Sequence, residues 1–166
     1  MSAQPSYLWL FPLTYAIHIA EEGFAGERFY HWIDRVPLVR ALGVRVSECE
    51  FFAMNAIYML AMIVSVIAAS RAGYSWLVPA LGTLVAVNSA GHLIGSVATR
   101  SYSPGLASGL ILWLPLGIAT LLQAHRALAP SEMRVGVAAG ISVQVFVFVS
   151  ALAVGRWGRP MRPSLR

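Results

Sequence analysis

The feature that most constrains this chain is a set of long apolar runs with few charges, at about 51–69, 76–98, 106–124 and 135–154. A helix needs ~20 apolar residues to cross a ~30 Å hydrocarbon layer, and each run is close to that length. The runs are apolar all round, whereas a helix on the surface of a soluble domain would show a stripe. Each is bounded by arginine, by Gly, Pro or Ser turn residues, or by both. Composition agrees, with 58% hydrophobic and 11% charged residues, against ~25% charged in an ordinary globular chain. A soluble fold of this size would lack the polar residues to cover its core. The expected fold class is all-α, a polytopic transmembrane helix bundle.

A fifth run, 7–20, stops where Glu21 appears. Its length fits either a re-entrant segment or a span. If it spans, its last turn carries His18, Glu21 and Glu22 at the membrane boundary. The reading adopted is about five spans, the first at about 5–22, in one domain over 1–155 with a basic tail at 156–166. The first run lacks a basic leader, is interrupted by Pro12 and meets no small-residue cleavage site, so it reads as mature chain. The connection 23–49 mixes Phe24, Phe29, Tyr30 and Trp32 with Arg28 and Arg35, which suits a segment at the headgroup level.

The net charge of +5 comes from twelve basic residues, all arginine. They fall between and after the apolar runs, where topology signals belong, so nucleic acid is not an expected partner. With five spans, Arg28, Arg35, Arg40, Arg45, Arg100, Arg156, Arg159, Arg162 and Arg166 share one side, and Arg71, Arg126 and Arg134 the other. That bias predicts a multi-pass cell-membrane protein with its N-terminus outside and its C-terminus cytoplasmic. The lipid bilayer is then the main partner. Cys49 is alone, which excludes an intrachain disulfide. The G-x-x-x-G pairs Gly91/Gly95, Gly105/Gly109 and Gly136/Gly140 read as close packing within the bundle, with a homo-oligomer contact as the alternative.

Polar residues recur at helical spacing. His18, Glu21 and Glu22 share one face, as do Asn88, His92 and Ser96, and as do Glu48, Phe52 and Asn55. Tyr102 and Ser103 sit in the turn entering the fourth run. The topology puts all of these in the cytoplasmic half of the bundle. Ionisable groups within a membrane are costly and normally face a bundle interior or a cavity. Carboxylates beside neutral imidazoles suit a divalent cation, Zn²⁺, or Fe²⁺ or Mn²⁺ if more carboxylates join. The candidate ligands are His18, Glu21 and His92, with Glu22 as general base, Tyr102 orienting a substrate, and Glu48, Asn55 and Asn88 as polar support. Plainer readings stand beside these. Glu21, Glu22 and Glu48 fit boundary charges, His92 fits a histidine bonded to Asn88 or Ser89, and Asn55 and Asn88 fit interhelical glue.

The run His18-Ile-Ala-Glu21-Glu22 resembles the motif of the HXXEE family of small multi-pass membrane proteins. A second block, Asn88-Ser-Ala-Gly-His92 leading to Tyr102-Ser-Pro104-Gly105, is similar too. The resemblance covers most of the chain, from the first apolar run into the fourth. It implies a membrane protein without an assigned activity, and leaves the chemistry to the residues.

Three functions fit these expectations. One is a metal-dependent membrane enzyme, hydrolase-like, acting on a small hydrophobic or lipid-like substrate. The others are a non-catalytic scaffold or accessory subunit, and a small proton- or cation-coupled transporter.

Overall fold

The computed structural model describes residues 6–71 and 74–157. Most of the expected tail at 156–166 therefore lies outside the described residues. A 3₁₀ turn, Ser6–Trp9, leads into α1, Leu10–Phe24. The short helices α2, Phe29–Trp32, and α3, Pro37–Leu42, follow, joined by the 3₁₀ turn Ile33–Arg35. Four long helices complete the bundle: α4, Glu48–Ala69; α5, Leu77–Thr99; α6, Leu106–Ala127; and α7, Pro130–Trp157.

The fold is the all-α bundle that the apolar runs predict. Four helices, α4 to α7, are long and apolar enough to cross a membrane, so the count is about four where the sequence suggests five. The difference is α1. Its fifteen residues rise only ~22 Å at ~1.5 Å per residue, short of a ~30 Å layer, and its C-terminal turn carries two glutamates. The outer faces of the long helices present large apolar side chains such as Ile57, Ile111 and Phe146, which suits lipid contact.

Helix α5 is the hub. It packs along much of its length on α6 and α7, and less extensively on α4. Small residues set these distances. A Cβ on Gly117 of α6 would stand 2.7 Å from the carbonyl oxygen of Gly82 on α5. One on Gly140 of α7 would stand 2.5 Å from the Ala80 carbonyl and 2.7 Å from Thr83 Cβ. Of the three G-x-x-x-G pairs, only Gly136/Gly140 works as a helix-packing pair. Gly91 faces open space, and Gly95 makes room for the Trp32 ring.

The connection between α1 and α4 folds back under the bundle as a cap. Trp32 is 2% exposed, and its indole N–H donates to Ser101 Oγ at 2.9 Å. The Arg45 amide donates to the Gly155 carbonyl at 3.4 Å, tying the cap to the end of α7. Helix α4 then starts on a capping box, in which Ser47 and Glu50 satisfy each other's backbone amides.

Gly140→Leu should therefore cost about 1–3 kcal/mol by overpacking, read as a lowered melting temperature in detergent. Gly91→Ala, with no neighbour to meet, should leave the melting temperature unchanged or slightly raised.

Candidate metal centre

The C-terminal turn of α1, the C-terminal half of α5 and the turn entering α6 meet at one end of the bundle. His18 and Glu22 are one helical turn apart on α1, so both side chains leave the same face. His92 reaches them from α5. The three are 1%, 6% and 6% exposed, in the order His18, Glu22, His92. Glu22 Oε1 lies 3.3 Å from His92 Nε2 and 3.6 Å from His18 Nε2, and donor atoms of all three fall within 4.8 Å of one another. The two imidazoles meet edge to face, with ring centroids 4.9 Å apart.

These separations are longer than the ~2.7–3.2 Å of good hydrogen bonds to nitrogen. The two distances to Glu22 are close to the ~3.3 Å between donors that each stand ~2.0–2.1 Å from a shared tetrahedral ion, and the wider 4.8 Å limit on the set means that the side chains draw in around one. His18 Nε2 is buried and has no hydrogen-bond partner. An orphaned imidazole nitrogen is costly unless something binds it. The residues therefore fit a divalent cation.

The far nitrogens are held. His18 Nδ1 is 2.8 Å from Ser108 Oγ, and His92 Nδ1 is 3.0 Å from Ser103 Oγ. A serine hydroxyl can accept Nδ1–H, and in that tautomer both Nε2 lone pairs are aimed at Glu22. A partner that fixes the tautomer and ring direction is the usual support of a metal-binding histidine.

Trp113 completes the His18 pocket, stacked on the imidazole at 3.9 Å between centroids. Its indole N–H donates to Thr14 Oγ1 at 3.1 Å. Ser108 and Trp113 reach the same ring because Gly109–Trp113 is a π-helical turn within α6. In an i→i+5 turn, residues five apart come nearly into line, whereas a regular α-helix would turn one of them away.

Gly105 closes the centre. Its φ is +90°, and a Cβ there would stand 2.8 Å from Cε1 of both His18 and His92 and 3.0 Å from Glu22 Cγ. Glycine is required twice over, by backbone conformation and by space.

Glu21 points elsewhere. Its carboxylate accepts the amide N–H groups of Ser108 at 2.7 Å and Ala107 at 3.1 Å, and the Tyr102 hydroxyl donates to it as well. It thus caps the exposed amides at the start of α6 from a neighbouring helix, where negative charge is favoured. Burial, and then the bond to Glu21, push the Tyr102 phenol above its ordinary pKa, which keeps it a donor at neutral pH. Glu21 and Tyr102 line a shallow surface depression with Ile17 and Ile111, separate from the space that His18, Glu22 and His92 face.

The other residues singled out in the sequence divide. Asn55 and Asn88 line the same cavity as the cluster. Asn55 accepts the Tyr15 hydroxyl at 2.8 Å and donates to the Phe51 carbonyl at 2.9 Å, while Asn88 Oδ1 has no partner. Glu48 lies apart, in an exposed ion pair with Arg28 at 3.4 Å, a contact worth little in water. Sequence reasoning missed Ser108 and Trp113, because neither residue type carries a signal until the π-helical turn is known. Gly105 was visible in the Tyr102–Gly105 block and in the Gly105/Gly109 pair, neither of which points to its place over the histidines.

Fold and site together define an all-α chain with four helices able to cross a membrane and a buried His/Glu cluster at one end. A family model described as "Protein of unknown function with HXXEE motif" matches residues 9–120. The chain belongs to this HXXEE family. No curated protein and no solved structure matches it.

Gly105→Ala should displace both imidazoles and cost about 1–3 kcal/mol, read as a lower melting temperature of the purified protein. An unchanged value would show that the turn does not press on the centre.

Proposed function

We propose that the chain is a metal-dependent membrane enzyme in which His18, Glu22 and His92 hold one divalent cation. The observation that carries this reading is the pair of Nε2 atoms aimed at one buried carboxylate oxygen, with the opposite nitrogen of each ring tied to a serine. Two imidazoles and one carboxylate form a three-ligand set that leaves a coordination position for water or substrate, and such a set suits Zn²⁺ or Fe²⁺. When bound, the cation would lower the pKa of a water molecule and polarise a carbonyl-type oxygen. Hydrolysis of a membrane-partitioning molecule is the reaction class that this chemistry favours.

The protein's own residues would then divide the work. Glu22 supplies the charge that balances the cation, and its second oxygen takes the proton that the attacking water loses. Asn88 Oδ1, unpaired in the same cavity, accepts a hydrogen bond from the substrate. Trp113 and the cap keep bulk water out. Glu21 and Tyr102 act as positioning residues, because they fix the start of α6 and with it Ser103, Gly105 and Ser108.

We also place the centre on the cytoplasmic side. The cap, the turn entering α6 and the end of α7 share the arginine-rich side whether or not α1 crosses the membrane, and arginine favours the cytoplasm.

Elemental analysis of the purified protein tests the assignment. About one divalent ion per chain is expected, lost in His18→Ala, Glu22→Gln and His92→Ala. Glu21→Gln should keep the ion but bind it about 10–100-fold more weakly, as for loss of an outer support. Absence of stoichiometric metal from the intact protein would overturn the reading.

A further inference from the structure

The His/Glu cluster sits at one end of a cavity of about 390 Å³ that runs up the bundle between α4, α5 and α7. His92 and Leu77, both on α5, line it at opposite ends. Along a helix they are about 22 Å apart at ~1.5 Å per residue. The walls between are mostly apolar, formed by residues such as Met62, Leu81, Leu84 and Val147, with Asn55, Asn88 and Gln144 as polar exceptions.

The two ends and the sides differ in access. Beneath the cluster, Ile33, Val39 and Val44 of the cap line the cavity and separate it from water, and Val39 and Val44 are 1% and 4% exposed. Helices α4 and α7 form the opposite flanks and touch each other sparsely. A hydrogen bond between the Tyr58 and Ser150 hydroxyls joins them. A single side-chain bond between two apolar, lipid-facing helices is a weak barrier. The least obstructed route to the cluster therefore passes between α4 and α7, from the bilayer.

We propose that this cavity is a tunnel for one long, unbranched acyl or alkyl chain. The chain enters from the lipid between α4 and α7 and lies along α5, and its polar end meets His18, Glu22 and His92. The inference rests on the reading of that cluster as the reaction centre, and it names the substrate class: a single-chain lipid with a polar, carbonyl-bearing end. One elongated cavity that ends on one polar cluster suits one chain with one polar end, whereas a diacyl phospholipid would bring a second chain and a large headgroup to the same place. The far end, near Ser65 and Trp76, limits the chain length.

Photolabelling of the full protein in nanodiscs tests this. The probes are hexadecanoic acid with a diazirine near its methyl end, octanoic acid with the same group, and a diacyl phosphatidylcholine carrying it on one chain. The hexadecanoic probe should label peptides around Ser65, Trp76 and Leu77, and unlabelled hexadecanoic acid should compete. The phosphatidylcholine probe should label only outer faces such as those at Ile57 and Phe146. Leu84→Trp, which fills the tunnel midway, should cut far-end labelling by hexadecanoic acid about tenfold while octanoic acid still labels near His92. Val147→Trp, from α7, makes the same test should the α5 variant fail to fold. Far-end labelling by phosphatidylcholine equal to that by hexadecanoic acid would overturn the tunnel. So would labelling that neither tryptophan changes. Metal content measured on the same samples separates the two claims. Metal without tunnel labelling removes the tunnel alone, and tunnel labelling without metal removes the reaction centre while leaving a chain-binding site.

Discussion

The structure depends on one buried carboxylate. Glu22 is 6% exposed and lies against two imidazole nitrogens at the end of α1. A carboxylate taken out of water is costly unless charge and hydrogen bonds compensate. With acceptor nitrogens facing it, the compensation would come from a shared cation, and the surrounding architecture holds the two rings in place for one. Two serines direct the imidazoles, a tryptophan stacks on one of them, and a glycine with positive φ lets the backbone cover all three side chains. The π-helical turn in α6 belongs to the same arrangement, since it turns Ser108 and Trp113 toward one ring.

The two adjacent glutamates of the HXXEE motif do different jobs. A one-residue step on a helix is ~100° of rotation, so Glu21 and Glu22 cannot serve the same partner. Glu22 shares a face with His18 and enters the cluster. Glu21 turns to α6 and satisfies its first amides. The motif therefore couples the centre to the helix that carries its supports: α1 provides two cluster residues, and the same turn anchors the segment holding Ser103, Gly105 and Ser108. This gives the acidic pair a physical reason that a boundary charge would not need. The anchoring bonds also explain how Glu21 can end α1, where the helix dipole disfavours acid.

The bundle was legible in the sequence because apolar run length reports directly on membrane-spanning capacity. The meeting of His18 and His92 was legible as well, since alternating helix directions bring the end of α1 and the end of α5 to one level. What the sequence did not separate was the pair Glu21 and Glu22, because i+3 and i+4 positions both neighbour His18 and only the partner helix distinguishes them. It suggested both beside the histidines, Glu21 as ligand and Glu22 as general base, and the structure has Glu22 alone there. The first span was overcounted because the run 7–20 is itself short, and its α-helix, Leu10–Phe24, has only fifteen residues with two glutamates in the last turn. Ser108 and Trp113 carried no local signal, and Gly91/Gly95 carried a misleading one. Gly95 makes room for a tryptophan of the cap, which no helix-pairing motif would indicate.

The central claim is that His18, Glu22 and His92 share a single ion. X-ray absorption at the edge of the bound metal addresses it most directly, because imidazole rings give distinctive outer-shell scattering. The account predicts a first shell of nitrogen and oxygen at ~2.0–2.1 Å for zinc, with outer-shell scattering from two imidazoles. A metal shell without imidazole scattering, or with scattering from only one ring, would contradict it.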